Sequence, residues 1–171
     1  MDVQDAIEHR LEVRDYEDEP VDPEVRHTIL NAGRLAPSGK NTQHWRFVLL
    51  TDPGDVHRLA ELSTSGAWIG DADFAIVVTT DPSYHYHELD AGRAITHMQF
   101  AAFQHEVGSC IYTGFDEAGM HEFLEVPDDR SIVAVIGFGY PANGLRGRKR
   151  RDSLSALAYA DRFGKPLRVI D

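Results

Sequence analysis

With 171 residues, 42% of them hydrophobic and 26% charged, the chain is sized for one domain spanning residues 1–171 with a core of its own, and its composition excludes a disordered or fibrous protein. A net charge of −11 argues against nucleic acid as the main partner, because phosphate binding runs on Lys and Arg displacing counterions. No apolar run approaches the roughly 20 residues of a membrane span, the opening MDVQDAIEHR lacks the apolar stretch of a secretory signal, and a cytoplasmic location with no membrane partner is expected.

Val3, Ala6, Ile7 and Leu11 recur at helical spacing behind Asp2 as a candidate cap, which predicts a first amphipathic helix over 3–12. Asp22 followed by Pro23, with Val25, Ile29, Leu30 and Ala32 behind, predicts a second helix to about Leu35, stopped by Pro37. A polar loop over 38–44 leads into an apolar strand over 45–50. Asp52 and Pro53 open a helix carrying Val56, Leu59, Ala60 and Leu62, and after a loop around Trp68 the run FAIVVTT over 74–80 reads as a buried strand.

Residues 90–107 are apolar almost all round, with Gly108 as the stop, so this helix must be covered on most faces. Either a central core position in one chain or packing against a second copy would cover it, and the pattern alone leaves both open. A short strand over 109–113, a helix capped by Asp116 running through Val126 to the Pro127 break, and a strand over 131–139 follow. The stretch 144–152 is basic, Leu154, Leu157 and Ala158 form a short helix, and the chain closes on Val169 and Ile170. Helices and strands thus alternate along the chain.

One cysteine, Cys110, leaves no internal disulfide and no CxxC pair, so redox chemistry would be borrowed from a bound group. Nine histidines invite a metal site, above all His85 and His87 with Glu88 and Asp90, but there is no HExxH pair and the expected metal complement is none. Gly137-Phe138-Gly139 is followed by Tyr-Pro and is no dinucleotide-binding fingerprint.

Positive charge concentrates in two places, Arg10 with Arg14 and the run Arg148-Lys149-Arg150-Arg151. Two cationic patches could clamp one anion, since the guanidinium fork suits phosphate oxygens; surface pairing with the acids of 15–19 and a solvated charge run are the plain alternatives. The loop Ala36-Pro37-Ser38-Gly39-Lys40-Asn41-Thr42-Gln43-His44-Trp45 is dense in small donors and acceptors, which suits either a set of turns or a polar ligand.

That loop carries the pattern APSxxNxQxW without a gap. Together with Arg10-Leu11-Glu12-Val13-Arg14-Asp15-Tyr16 and Pro20-Val21 ahead of it, and Asp90-Ala91-Gly92, Gly108-Ser109-Cys110, Gly114-Phe115 and Gly137-Phe138-Gly139-Tyr140-Pro141 behind it, the chain resembles the nitroreductase family from about residue 5 to residue 160. The resemblance implies an α+β fold, helices around a mixed, mostly antiparallel sheet of four or five strands, in an intertwined homodimer with FMN at its interface. It implies a phosphate held by Arg10, Arg14, Lys149 and Arg151. The rest of the flavin would meet Pro37, Ser38, Gly39, Asn41 and Gln43, with the backbone of Thr113 and Gly114 near its reactive edge. NADH or NADPH would reduce the flavin and leave, and a small acceptor such as a nitroaromatic or quinone would then be reduced, in ping-pong order. The chemistry sits on the flavin, so no catalytic side chain is expected. A flavin-binding protein without reductase turnover is the alternative. The chain departs from the family at Glu12, where many members carry Ser or Thr: a carboxylate beside a phosphate repels it unless it turns to a neighbouring Arg.

Overall fold

A computed structural model of the chain describes residues 3–167, so Asp2, Val169 and Ile170 lie outside the described residues. Six helices and four strands follow one another as α1 (Val3–His9), α2 (Pro23–Arg34), β1 (Arg46–Leu50), α3 (Pro53–Leu62), β2 (Phe74–Thr80), α4 (His87–Gln104), β3 (Gly108–Tyr112), α5 (Glu117–Leu124), β4 (Ser131–Gly139) and α6 (Leu154–Leu157), with single 3-10 turns at Gly39–Asn41 and Ala67–Asp71. Two of the expected caps are in place, while Asp116 precedes α5 without a side-chain cap hydrogen bond. Asp22 accepts from the Glu24 N–H and Asp52 from those of Gly54 and Asp55, each ahead of a proline in the first turn.

Three helices differ from the pattern at their ends, and at each C-terminal end the backbone explains why. α1 stops at His9 rather than 12 because the chain leaves the helix to pair with distant strands: Arg10 bridges Arg146, and Glu12 bridges Ser109. α4 begins and ends three residues earlier than the apolar run suggests, and Glu106, at φ 58°, takes the left-handed turn that Gly108 was expected to supply. α5 likewise closes on a left-handed Glu125 ahead of Pro127.

The sheet has the order β1-β2-β4-β3, and all its ladders are antiparallel. The single parallel pairing is the isolated Glu12–Ser109 bridge on the outer edge of β3. Strand β2 is buried along its whole length, and its alternation distributes it between two cores. Phe74, Ile76 and Val78 face α2 and α4 together with Ala134, Ile136 and Phe138. Ala75 and Val77 face α3 and α5 with Val135, Tyr112 and Met120. A strand covered on both faces has no solvent side to carry polar residues, which is why FAIVVTT is nearly uniform. Each such Ile, Val or Phe contributes about 1.5–3 kcal/mol by leaving water.

α4 is the exception to full burial. Asp90, Ala91, Ala94, Ile95, Met98, Gln99, Ala102 and Phe103 are covered by the rest of the chain. The opposite side is open, with Leu89 61% exposed. Of the two covers the sequence allowed, the chain itself supplies one, along one side of the helix. A groove of about 960 Å³ runs along the open side, floored by Leu89, Gly92, Thr96 and Phe100 and walled by Val3 of α1 and Leu35 after α2.

Candidate cofactor site

The two basic clusters meet. Leu11 N–H donates to the Leu145 carbonyl at 3.2 Å, and Gly147 N–H to the His9 carbonyl at 3.0 Å. This short seam sets the chain after β4 against the end of α1. Lys149 Nζ reaches the Ile7 carbonyl at 2.5 Å. Arg10 and Arg151 both act on Lys149, whose pKa is lowered first by partial burial and then by these two guanidinium groups, with Glu12 opposing them. Like charges this close favour a bound anion.

Arg10 is largely covered, with 14% of its side chain exposed, and its Nη2 donates to Glu12 Oε1 at 2.5 Å. The other Glu12 oxygen faces Gln99 Nε2 at 3.5 Å. Arg14 continues the patch: its guanidinium lies over the Trp68 ring at 6.0 Å, and it and Glu12 both interact with the Cys110 thiol. Burial, then Glu12, pushes that thiol up to about 11, so it is neutral at physiological pH and unsuited to nucleophilic work. Thr113 and Gly114 follow β3. Gly114 accepts from the Thr64 N–H at 2.8 Å, and a Cβ there would sit 2.6 Å from Thr64 Oγ1 and 2.7 Å from Ser65 Oγ. A larger residue there would have to push those two hydroxyls aside.

The loop of 37–43 is built elsewhere. Lys40, Asn41 and Gln43 all have positive φ, at 51°, 57° and 47°, a conformation rare for side-chain-bearing residues and held only where the surroundings enforce it. Here the enforcement is visible. Ser38 Oγ accepts from the Gln43 N–H at 3.0 Å, Asn41 N–H donates to the Ser38 carbonyl, and Gln43 Nε2 donates to the Asn41 carbonyl at 3.3 Å. Pro37 is exposed at the loop's entry. Gly39 packs against the Tyr86 ring, where a Cβ would stand 2.6 Å from a ring carbon.

The anchor is Asp90, 1% exposed, whose Oδ2 accepts from the Gly39 N–H at 2.8 Å and pairs with His44 Nε2 at 3.2 Å. Arg93 approaches its other oxygen at 3.2 Å, and His44 stacks on Tyr84 at 5.2 Å. The sequence placed Asp90 in a weighed metal cluster and at the opening of the apolar helix, and gave it no bond to His44 of the polar loop. An acid in the first turn of an otherwise apolar helix was the signal for a buried polar anchor. His87, from the same cluster, is hydrogen-bonded to Thr80 Oγ1 at 2.8 Å.

The structure thus joins Arg10, Arg14, Lys149 and Arg151 in one patch and ties the 38–43 loop to the other end of α4. Asp90 and Gln99, which touch the two parts, are separated along the helix by roughly 13 Å at a rise of 1.5 Å per residue.

A profile of the nitroreductase family matches residues 7–73 and 63–140. A protein of Archaeoglobus fulgidus with the provisional name NADH dehydrogenase/NAD(P)H nitroreductase is 30% identical over 77% of this chain and 81% of its own length. An NADH dehydrogenase of Thermus thermophilus is 25% identical over 83% of this chain and 88% of its own. Among solved structures, an FMN-dependent nitroreductase from Clostridium difficile R20291 superposes with a TM-score of 0.83 at 26% identity, covering 90% of this chain and 96% of its own.

Removing the anchor should loosen the loop without unfolding the core. Asp90→Ala strands the Gly39 N–H and the His44 ring, and is expected to cost about 1–3 kcal/mol of stability. Urea unfolding and limited proteolysis check this: the midpoint falls, and new cleavage appears within 37–43. An unchanged midpoint with no new cleavage would show that the loop holds itself.

Proposed function

The chain belongs to the nitroreductase family, and we propose that it binds FMN and passes electrons from NADH or NADPH to a small-molecule acceptor such as a nitroaromatic or quinone. The supporting observation is the convergence of Arg10, Lys149 and Arg151 from opposite ends of the chain, with Lys149 held below its ordinary pKa first by partial burial and then by its two neighbours. A phosphomonoester is the anion such a cluster suits: two guanidinium forks and an ammonium offer donors to three oxygens at once. Arg14 extends the positive patch toward Trp68, and Thr113 and Gly114 would lie along the ring edge.

When bound, FMN supplies the hydride acceptance and donation that no side chain here can perform. The chain's own work is to bind, orient and exclude. The Asp90–His44 pair keeps the loop of Pro37, Ser38, Gly39, Asn41 and Gln43 in its strained form, presenting hydroxyl, amide and backbone groups to the sugar-alcohol chain and ring. The positive patch favours an anionic reduced flavin over a neutral one.

The same geometry supports a homodimer with two composite sites. Within one chain the loop and the cation patch sit toward opposite ends of α4. A two-fold axis crossing the open groove near the middle of α4 exchanges those ends, setting each chain's loop beside its partner's cation patch. It would also cover Leu89, Val3 and Leu35, which are 61–69% exposed in the single chain. The apolar all-round character of α4 then has its explanation.

Purified protein is expected to take up FMN, turn yellow, and oxidise NADH or NADPH when menadione or a nitrofuran is supplied, with parallel double-reciprocal lines. Yellow protein that excess NADH and NADPH never bleach would overturn the reductase reading and favour flavin storage or sensing. Gly92→Arg tests the dimer separately. Nothing lies within 4 Å of a Cβ at Gly92 and arginine is the better helix former, so the variant should fold as a monomer by light scattering and bind FMN at least tenfold more weakly. A dimer of undiminished affinity would place the interface elsewhere.

A further inference from the structure

Glu12 puts a carboxylate inside the patch assigned above to a phosphate. Its Oε1 is 2.5 Å from Arg10 Nη2, it acts on Lys149 from the opposite sense to the two guanidinium groups, and it is close enough to Cys110 to raise that thiol. Its neighbours Lys149 and Arg10 are the groups a phosphomonoester would need. Carboxylate and phosphate compete for the same guanidinium fork, since both present paired oxygens at hydrogen-bonding distance.

The backbone beneath Glu12 is fixed. Leu11 N–H donates to the Leu145 carbonyl and Val13 N–H to the Ser109 carbonyl at 3.0 Å, and Glu12 itself bridges Ser109 at the sheet edge. The residue cannot be carried away from the patch by a shift of its segment, so an arriving phosphate leaves it one response, rotation of its side chain. Gln99 Nε2, at 3.5 Å from the second oxygen, is the group it could turn toward, and with 38% of its side chain exposed it can also reach water. Arg10 gives one N–H to Glu12 and one to the Leu11 carbonyl, so an arriving phosphate either shares the guanidinium with the carboxylate or displaces it, and in both arrangements two anions stand near one another, a cost that a flavin without a phosphate does not meet.

We propose that Glu12 is a specificity-determining residue that stands in for a phosphate oxygen at Arg10, so that the site accepts flavin lacking the phosphomonoester with an affinity within about tenfold of that for FMN. The proposal rests on the flavin-binding function given above. It assigns the phosphate end of the site a graded preference, set by one side chain, in place of the strong preference that an uncompensated group of arginines and lysine would impose.

Glu12→Gln keeps the shape and removes the charge. Equilibrium titration of wild type and variant with FMN and with riboflavin, at one fixed low ionic strength because salt screens the effect, separates the outcomes. The expected result is FMN affinity raised roughly tenfold in the variant and riboflavin affinity unchanged within twofold. Inorganic phosphate alone should also raise the melting temperature of Glu12→Gln more than that of wild type, a readout independent of flavin. Equal changes for both flavins would overturn the proposal by making Glu12 a ligand of the ribityl chain. No change for either would make it a bystander, and weaker FMN binding would make it a support for Arg10. Failure of wild type and variant alike to bind either flavin would overturn the flavin assignment itself, and this inference with it.

Discussion

Two backbone hydrogen bonds, from Leu11 to Leu145 and from Gly147 to His9, decide what this chain can bind. They close a loop of well over a hundred residues, and the entropy of such closure grows only slowly with length, so a small seam suffices once the sheet between its ends is formed. β3 supplies the rest of the support, since Val13 and Glu12 lie on its free edge. Packing is close there: a Cβ at Gly108 would stand 2.8–2.9 Å from the branched side chain of Val13. Cations that are far apart in sequence thereby become one patch, while the overall charge of the chain stays at −11. A local positive field in an acidic protein concentrates one class of ligand at one place and repels nucleic acid elsewhere.

α4 imposes the second constraint. Its covered side belongs to the core between α2 and the sheet, and its first turn carries the acid that anchors the 37–43 loop. Its open side is grooved and sets Leu89, Phe100 and Ala101 among Glu88, Arg93, Thr96, His97 and Gln104. In the dimer proposed above, a second copy laid across this groove would cover it and complete the divided site with the same contact. Stability and cofactor binding are on this account one property, because each chain lends the other both apolar cover and a polar loop.

Much of the fold was legible from residue types. Asp-Pro caps placed α2 and α3, the β-branched run placed β2 at its observed bounds, and Ser131–Gly139 was found as expected. Helix ends were legible only where a proline or a side-chain cap decided them. The end of α1 was decided by pairing with residues 145–147, and that of α4 by a left-handed Glu106, neither of which leaves a local trace. The site divided in the same way. The cations and the loop were visible as clusters of chemistry, but whether they met depended on the long-range seam. The Asp90–His44 anchor was obscured because buried acid–base pairs and metal ligands draw on the same residue types. The pairing of Arg10 with Glu12 was one of two outcomes the charges allowed, and only coordinates could choose between them.

The central claim is that each flavin site is shared between two chains, and subunit complementation tests it most directly. One variant carries Arg14→Ala with Lys149→Ala, and a second carries Ser38→Ala with Asn41→Ala. Each alone should lose FMN. Refolded together in equal amounts, they should recover about a quarter of the wild-type flavin content, since random pairing makes half the dimers mixed and each mixed dimer holds one intact site. If the mixture binds no more than its parents while both fold and dimerise, the site is not shared, and the account of α4 as the organiser of a composite site is wrong.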